Sequence, residues 1–230
     1  MEKRATTGVI LVGAGQSTRM TGIDKVFAPL GNIPILLHSL LQFQNHPAID
    51  YISLILGQHN VDQGRHLVEE NALSKVCSVT VGGPRRQDSV RIGLSQLPIT
   101  NLIIVHDVAR PLVEAELISR GLKAVLATGV ATAVLPVPDT LKSVDSDGLL
   151  EPNIINRTTF RLIQTPQIFR RAILENAHNI IEDTMTDDVT MSELIGFKTS
   201  SFEGSRLNFK ITVPQDLMMA RALIQSTANS

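Results

Sequence analysis

Val9-Ile10-Leu11-Val12-Gly13-Ala14-Gly15-Gln16-Ser17-Thr18-Arg19-Met20 passes directly from four apolar residues into a turn of small ones and then to a cation. A short continuous apolar run reads as a strand buried on both faces. Small residues after it let the backbone approach a ligand closely, and consecutive N–H groups in such a turn form an anion-binding concavity. Lys25 follows a few residues on, so Arg19 and Lys25 supply two cations to that turn. A dinucleotide fingerprint needs a third glycine near Thr18 and an acidic residue closing the second strand, which instead ends Leu54-Ile55-Leu56-Gly57. A phosphate loop with a Gly-Lys-Ser/Thr step is absent too. Two readings stay open: an ordinary glycine-rich turn between strand and helix, which explains the glycines but not the cations, and an anion-binding loop of another type.

Outward from this stretch the same pattern repeats. Tyr51 to Leu56, Val76 to Val81, Leu102 to Val105 and Val130 to Val134 are further apolar strand-like runs, with helical segments between them. The expected helices begin at Pro34, after Asn60, near Gln87, at Glu114 and at Thr212, the last with Pro214 in its first turn. This alternation predicts a Rossmann-like α/β fold, a mostly parallel sheet with helices on both faces. At 230 residues, a single domain over 1–230 is expected. A composition of 43% hydrophobic and 19% charged residues excludes disordered, collagenous and disulfide-scaffold classes. The formal charge of −1 gives no global field toward nucleic acid or an anionic membrane, so any phosphate site must be local. Cys77 is the single cysteine, which suits a reducing, cytoplasmic setting, and no run reaches membrane-spanning length.

One segment, 136–158, breaks the alternation. Two strand-like pieces flank Asp145-Ser146-Asp147-Gly148, and Asp-Gly between such runs signals a hairpin turn. An isolated two-stranded hairpin is marginal in water, and Pro152 interrupts its second strand. The expectation is a protruding β-hairpin arm that packs on a second copy of the chain; a solvent-exposed surface hairpin is the alternative.

Six further blocks follow in order: Gly82-Gly83-Pro84-Arg85-Arg86-Gln87-Asp88-Ser89-Val90, His106-Asp107-Val108-Ala109-Arg110-Pro111, Asp139-Thr140, Thr165-Pro166-Gln167, Thr186-Asp187-Asp188 and Asn208-Phe209-Lys210-Ile211-Thr212. With the loop that starts at Gly13, they resemble the 2-C-methyl-D-erythritol 4-phosphate cytidylyltransferases, nucleotidyltransferases that join a polyol phosphate to CTP. The resemblance implies a homodimer that transfers CMP from CTP to 2-C-methyl-D-erythritol 4-phosphate, with pyrophosphate released and Mg²⁺ as cofactor. Attack of one phosphate on another is catalysed chiefly by charge neutralisation and in-line positioning, and a phosphate nucleophile needs no general base.

The resemblance assigns roles residue by residue. Arg19, Lys25 and Lys210 are the catalytic cations; Lys25 as a solvated surface lysine is the alternative. Gly13, Ala14, Gly15, Gly83, Pro84 and Ser89 surround the nucleotide. Asp107, at the end of its strand, is both a nucleotide-side residue and the metal ligand, since a carboxylate beside a triphosphate is repelled unless a divalent cation lies between. His106 is expected to be a structural hydrogen-bonding partner. Thr140, Arg157, Thr165 and Thr186 form the acceptor side, with Arg157 reaching the neighbouring subunit's substrate phosphate. Thr186-Asp187-Asp188 also reads as an ordinary helix start, and Arg85, Arg86 and Arg161 as solvated surface charge. Leu207 departs from the pattern: many relatives carry an aspartate there, proposed as a second metal ligand. A ribitol 5-phosphate cytidylyltransferase and a catalytically impaired nucleotide-binding homologue are the alternative functions.

Overall fold

A computed structural model describes residues 4–15 and 24–228. Each apolar run named above forms a strand within a residue or two of its expected bounds. The strands are β1 (Thr7–Gly13), β2 (Pro29–Leu30), β3 (Ile33–Pro34), β4 (Tyr51–Leu56), β5 (Val76–Val81), β6 (Leu102–Asp107), β7 (Val130–Pro136), β8 (Arg161–Arg170) and β9 (Ser200–Glu203). The helices are α1 (Ile35–Asn45), α2 (Val61–Glu70), α3 (Arg86–Gln96), α4 (Ala115–Thr128), α5 (Arg171–Ile180), α6 (Asp188–Leu194) and α7 (Pro214–Ala228). Seven of the described strands make one sheet in the order β5-β4-β1-β6-β8-β7-β9, while β2 and β3 pair with each other. Within the sheet β8 alone runs antiparallel to its neighbours.

Side chains alternate across a strand, and here both faces are covered. Val9 and Leu11 of β1 join the core under α1, α4 and α7, whereas Ile10 packs with Val90 and Leu94 of α3 and Leu174 of α5. The chain steps from β1 outward to β4 and β5, then returns to place β6 on the other side of β1. The crevice between the carboxyl ends of β1 and β6 is therefore a switch point, where open α/β sheets bind ligands. Gly13 and Asp107 end those two strands.

The sequence reading missed β8. Its run carries Pro166 and two glutamines in the middle of a sheet, which argues against a central strand. The structure accommodates them because the β7–β8 ladder is irregular between Thr132 and Val134, leaving residues 164–166 out of register. The last helix also starts two residues later than expected. The Asp216 carboxylate accepts N–H bonds from Thr212 and Val213 at 2.7 and 3.0 Å, so these residues cap α7 instead of joining it.

The arm is present at its turn. Asp145 accepts from the Asp147 and Leu149 N–H groups, and Val144 and Leu150 form one antiparallel bridge. The strand-like pieces expected on either side do not extend that bridge into a ladder, consistent with Pro136, Pro138 and Pro152 removing donors from both legs.

Candidate active site

Two cavities open at the β1–β6 crevice and share a wall. The first, of about 450 Å³, is lined by Gly13, Ala14 and Gly15 after β1, by Lys25, by Gly83, Pro84 and Ser89 at the start of α3, and by Asp107. The second, of about 360 Å³, is lined by Thr165, Gln167, Thr186, Asp187 and Arg110. Arg86, Asp107 and Lys210 line both. Lys25, Arg85, Arg86, Lys210 and one carboxylate, Asp107, line the first cavity, while Asp88 and Asp188 pair with Arg85 and Arg86 from behind the lining, so the cavity presents more cations than carboxylates. Such a lining suits a polyanion.

The backbone geometry explains the first cavity. A Cβ on Gly82 would lie 2.4 Å from Ala14 Cβ and 2.6 Å from Ser89 Oγ. Only glycine lets the turn after β5 pass between the turn after β1 and helix α3. The α3 start is fixed by Asp88, whose carboxylate accepts from the Arg85 N–H at 3.2 Å and from the Arg85 guanidinium at 2.8 and 2.9 Å.

Asp107 is 6% exposed. Its Oδ2 accepts from Lys210 Nζ at 2.8 Å and its Oδ1 from Arg86 Nε at 3.4 Å, with Arg110 Nε 3.9 Å from Oδ2. Burial alone raises a carboxyl pKa, but Arg86, Lys210 and Arg110 outweigh it and hold Asp107 well below the usual carboxylate range. The Asp107 N–H donates to Thr165 Oγ1 at 3.1 Å, and that hydroxyl lies 3.1 Å from His106 Nδ1, to which it donates. His106 Nε2 in turn donates to the Arg110 carbonyl at 3.1 Å. This chain satisfies a neutral imidazole, in line with burial pushing His106 down to about 4.

Lys210 reaches Asp107 because its loop is anchored at several points. The Ile211 N–H donates to the Ala109 carbonyl at 2.8 Å, Asn208 Nδ2 to the Thr165 carbonyl at 2.8 Å, and Arg110 Nη1 to the Asn208 carbonyl at 2.9 Å. The blocks His106–Pro111, Thr165–Gln167 and Asn208–Thr212 thus interlock through main-chain contacts.

The structure brings Gly13, Ala14, Gly15, Lys25, Gly83, Pro84, Ser89, Asp107 and Lys210 together around the first cavity, and Thr165 and Thr186 around the second. Thr165 is buried with its hydroxyl engaged by Asp107 and His106. Thr186 is exposed, and the neighbouring Asp187 caps α6 through the Thr190 N–H, so the segment is a helix start as well as a cavity wall. Thr140 and Arg157 are exposed and line neither cavity; the Arg157 guanidinium bonds the Pro138 carbonyl. Arg19 lies outside the described residues, as does Ser17. Leu207 is 45% exposed and lines neither cavity.

Arg86 corrects the reading of it as solvated charge. Its guanidinium is largely buried between two carboxylates, Asp107 and the fully buried Asp188, bonding the latter at 2.6 Å. Asp188 also accepts from His178 Nε2 at 3.0 Å. Arg86 and Asp188 stood inside quoted blocks, but His178 lay in none, and no local spacing connects positions so far apart.

Among the described residues, no group of three His, Cys, Asp or Glu is placed to hold a metal ion. The single carboxylate of Asp107 fits an ion that brings phosphate oxygens and water with it, the manner in which magnesium is commonly bound.

Comparison with known proteins agrees with this geometry. The family model for 2-C-methyl-D-erythritol 4-phosphate cytidylyltransferase matches residues 7–226. A curated 2-C-methyl-D-erythritol 4-phosphate cytidylyltransferase of Dehalococcoides mccartyi is 42% identical over 218 residues, covering 95% of this chain and 96% of the relative. The crystal structure of the enzyme of that name from Thermus thermophilus superposes with a TM-score of 0.77 at 32% identity, covering 97% of this chain and all of the other. A 4-diphosphocytidyl-2C-methyl-D-erythritol synthase from Anaerococcus prevotii superposes with a TM-score of 0.85 at 25% identity, with 97% and 100% coverage.

Proposed function

This chain belongs to the 2-C-methyl-D-erythritol 4-phosphate cytidylyltransferase family, and on that premise we propose how its two joined cavities work. The protein transfers CMP from CTP to 2-C-methyl-D-erythritol 4-phosphate, giving 4-diphosphocytidyl-2-C-methyl-D-erythritol and pyrophosphate. The glycine-rich cavity with Lys25 takes CTP, and the cavity beside Thr165 and Thr186 takes the polyol phosphate. The observation that carries this reading is their shared wall of Arg86, Asp107 and Lys210. An acceptor phosphate and the α-phosphorus would meet there, between cations.

A phosphate oxygen of the acceptor attacks the α-phosphorus, the new P–O bond forms, and the α–β bridging bond breaks with its electron pair leaving on pyrophosphate. The nucleophile is already an anion, so the site needs no base; it needs cations placed where charge accumulates. Lys25, with Arg19 six positions before it in the sequence, serves the triphosphate, and Lys210 serves the meeting point of the two substrates. Asp107 holds Lys210 in place by a 2.8 Å bond. Its carboxylate would also be the group to hold a magnesium ion. That ion, when bound, neutralises phosphate charge.

The active assembly in this reading is a homodimer through the arm. Val144, Leu149, Leu150, Ile154, Phe160 and Leu162 are exposed in and next to the arm, a concentration of apolar surface that a second copy would cover. Arg157 stands away from both cavities of its own chain, as a residue serving a neighbour's pocket should. The reading places the enzyme in the cytoplasm, where Cys77 stays a free thiol; no described helix is long and apolar enough to cross a membrane.

The deciding experiment measures pyrophosphate release from CTP with methylerythritol phosphate or ribitol 5-phosphate as acceptor. Release that depends on methylerythritol phosphate is the expected result. Preference for ribitol phosphate reassigns the second cavity, and no release with either acceptor removes the catalytic reading.

A further inference from the structure

Arg86, Asp188 and His178 form a buried line that leads from the shared wall into the protein interior. Arg86 Nη1 donates to Asp188 Oδ2 at 2.6 Å, and His178 Nε2 donates to Asp188 Oδ1 at 3.0 Å. Asp188 is fully buried and His178 is 3% exposed. The backbone holds both ends of this line. The Asp188 N–H donates to Gln167 Oε1 at 3.2 Å, the His178 carbonyl accepts from Arg91 at 2.8 Å, and Gln87 ties the start of α3 to the loop before α6 through the Asp183 carbonyl and the Met185 N–H. Three helices, α3, α5 and α6, therefore converge on one carboxylate that touches neither substrate cavity.

A fully buried carboxylate is costly unless it is paired and hydrogen-bonded. The arrangement makes sense through what it does to Arg86. Arginine presents five N–H donors, and among the described residues Arg86 is engaged through Nε and Nη1, at 3.4 Å to Asp107 and 2.6 Å to Asp188. The shorter bond is the one to Asp188. Without that anchor the guanidinium would be able to turn onto Asp107 as a two-pronged pair, swinging its remaining donors to a different direction and competing with Lys210 for the same carboxylate. With it, the remaining donors stay at the wall that both cavities share.

We propose that Asp188, braced by His178, is a positioning residue: it draws the Arg86 guanidinium off Asp107 so that the donors not directed at Asp188 meet the anions of both substrates. The proposal rests on the two-cavity reading of the site given above. Asp188 touches no substrate and acts only through Arg86, which distinguishes it from a residue that merely holds α6 in place.

The test is a double-mutant cycle in the full-length protein, with kcat and KM measured for CTP and for methylerythritol phosphate by pyrophosphate release, and melting recorded for each variant. Wild-type protein that releases no pyrophosphate would defeat the two-cavity reading itself and leave nothing for Asp188 to position. With an active wild type, Asp188→Asn is expected to lower kcat/KM for both substrates by on the order of tenfold to a hundredfold, the scale of a misplaced catalytic group. In an Arg86→Gln background the same change should cost less than about twofold, because its effect passes through the missing guanidinium. An equal loss in both backgrounds, or wild-type kinetics for Asp188→Asn, overturns the proposal. If Asp188→Asn melts below the assay temperature, the His178→Leu and His178→Gln pair decides. Loss in the leucine variant with recovery in the glutamine variant, whose amide still donates to Asp188, supports it; equal activity of the two overturns it.

Discussion

Gly82→Ala tests whether the first cavity depends on the close approach of three turns. The added methyl carbon would sit 2.4 Å from Ala14 Cβ and 2.6 Å from Ser89 Oγ. Carbon atoms in comfortable contact lie about 3.5–4 Å apart, so the gap must widen by about 1 Å. Ala14 has no rotamer to change, and the Ser89 hydroxyl already bonds the Arg85 carbonyl at 3.3 Å. The strain must therefore move backbone, either the turn after β1 or the start of α3. Overpacking of this kind costs about 1–3 kcal/mol. In a chain of this size, that lowers the melting temperature by roughly 2–12 °C. Ala14 and Ser89 both line the first cavity, the one proposed for CTP, so the displacement should also act on CTP, where a misplacement of about 1 Å can cost on the order of a hundredfold in rate. Thermal melting with and without CTP, together with kcat/KM for CTP, reads both effects. Gly15→Ala is the control for stability, since its added carbon meets nothing within 4 Å among the described residues. A Gly82→Ala protein that melts with wild type and keeps its KM for CTP would show that the three turns do not define the pocket.

Lys25→Ala should fold normally and lose on the order of a hundredfold or more in kcat while CTP binding changes little, because a cation near the reacting phosphorus acts on transition-state charge; an unchanged kcat with a raised KM would remove it from the chemistry. Asp107→Asn should shift the magnesium titration of activity to higher concentration, since an amide ligates without neutralising; superimposable titrations would remove Asp107 as a ligand. His106 titrates near 4 in the fold against 6.5 unfolded, so the unfolded chain binds the extra proton first and stability is lost as pH falls from 6.5 toward 4. Between pH 7 and pH 5 this amounts to about 2 kcal/mol, and urea unfolding should show a correspondingly flatter loss for His106→Gln; parallel curves would contradict the buried neutral imidazole. If the chain forms the proposed dimer, Lys25→Ala and Arg157→Ala proteins should each be nearly inactive yet recover about a quarter of wild-type activity per chain after subunit exchange, because one pocket of each mixed dimer has both residues intact. Mass-tagged heterodimers without recovery would show that Arg157 does not act across the interface.

What the sequence determined by itself was local. A continuous apolar run followed by small residues dictates a buried strand and a turn that lets the backbone approach a ligand, and this logic holds wherever the deciding residues are neighbours in the chain. It located β1, β4, β5, β6 and β7 and the turns at Gly13 and Gly83, and the ordered motif blocks supplied the family. It did not reveal β8, because Pro166 and the glutamines make sense only beside the irregular ladder with β7 and the polar site they serve. It also misjudged Arg86. Arg86 and Asp188 are 102 positions apart, Lys210 and Asp107 103, and each pair forms only when the sheet is assembled. Whether a lone arginine is solvated or buried between carboxylates depends on which charges the fold brings within about 4 Å, where the Coulomb interaction in a partly desolvated site outweighs the propensities of the segment itself. The strands β1, β4, β5, β6 and β7 and their turns were therefore legible from neighbours along the chain, while β8, β9 and the charge network that gives the two cavities their common wall were decided by tertiary structure.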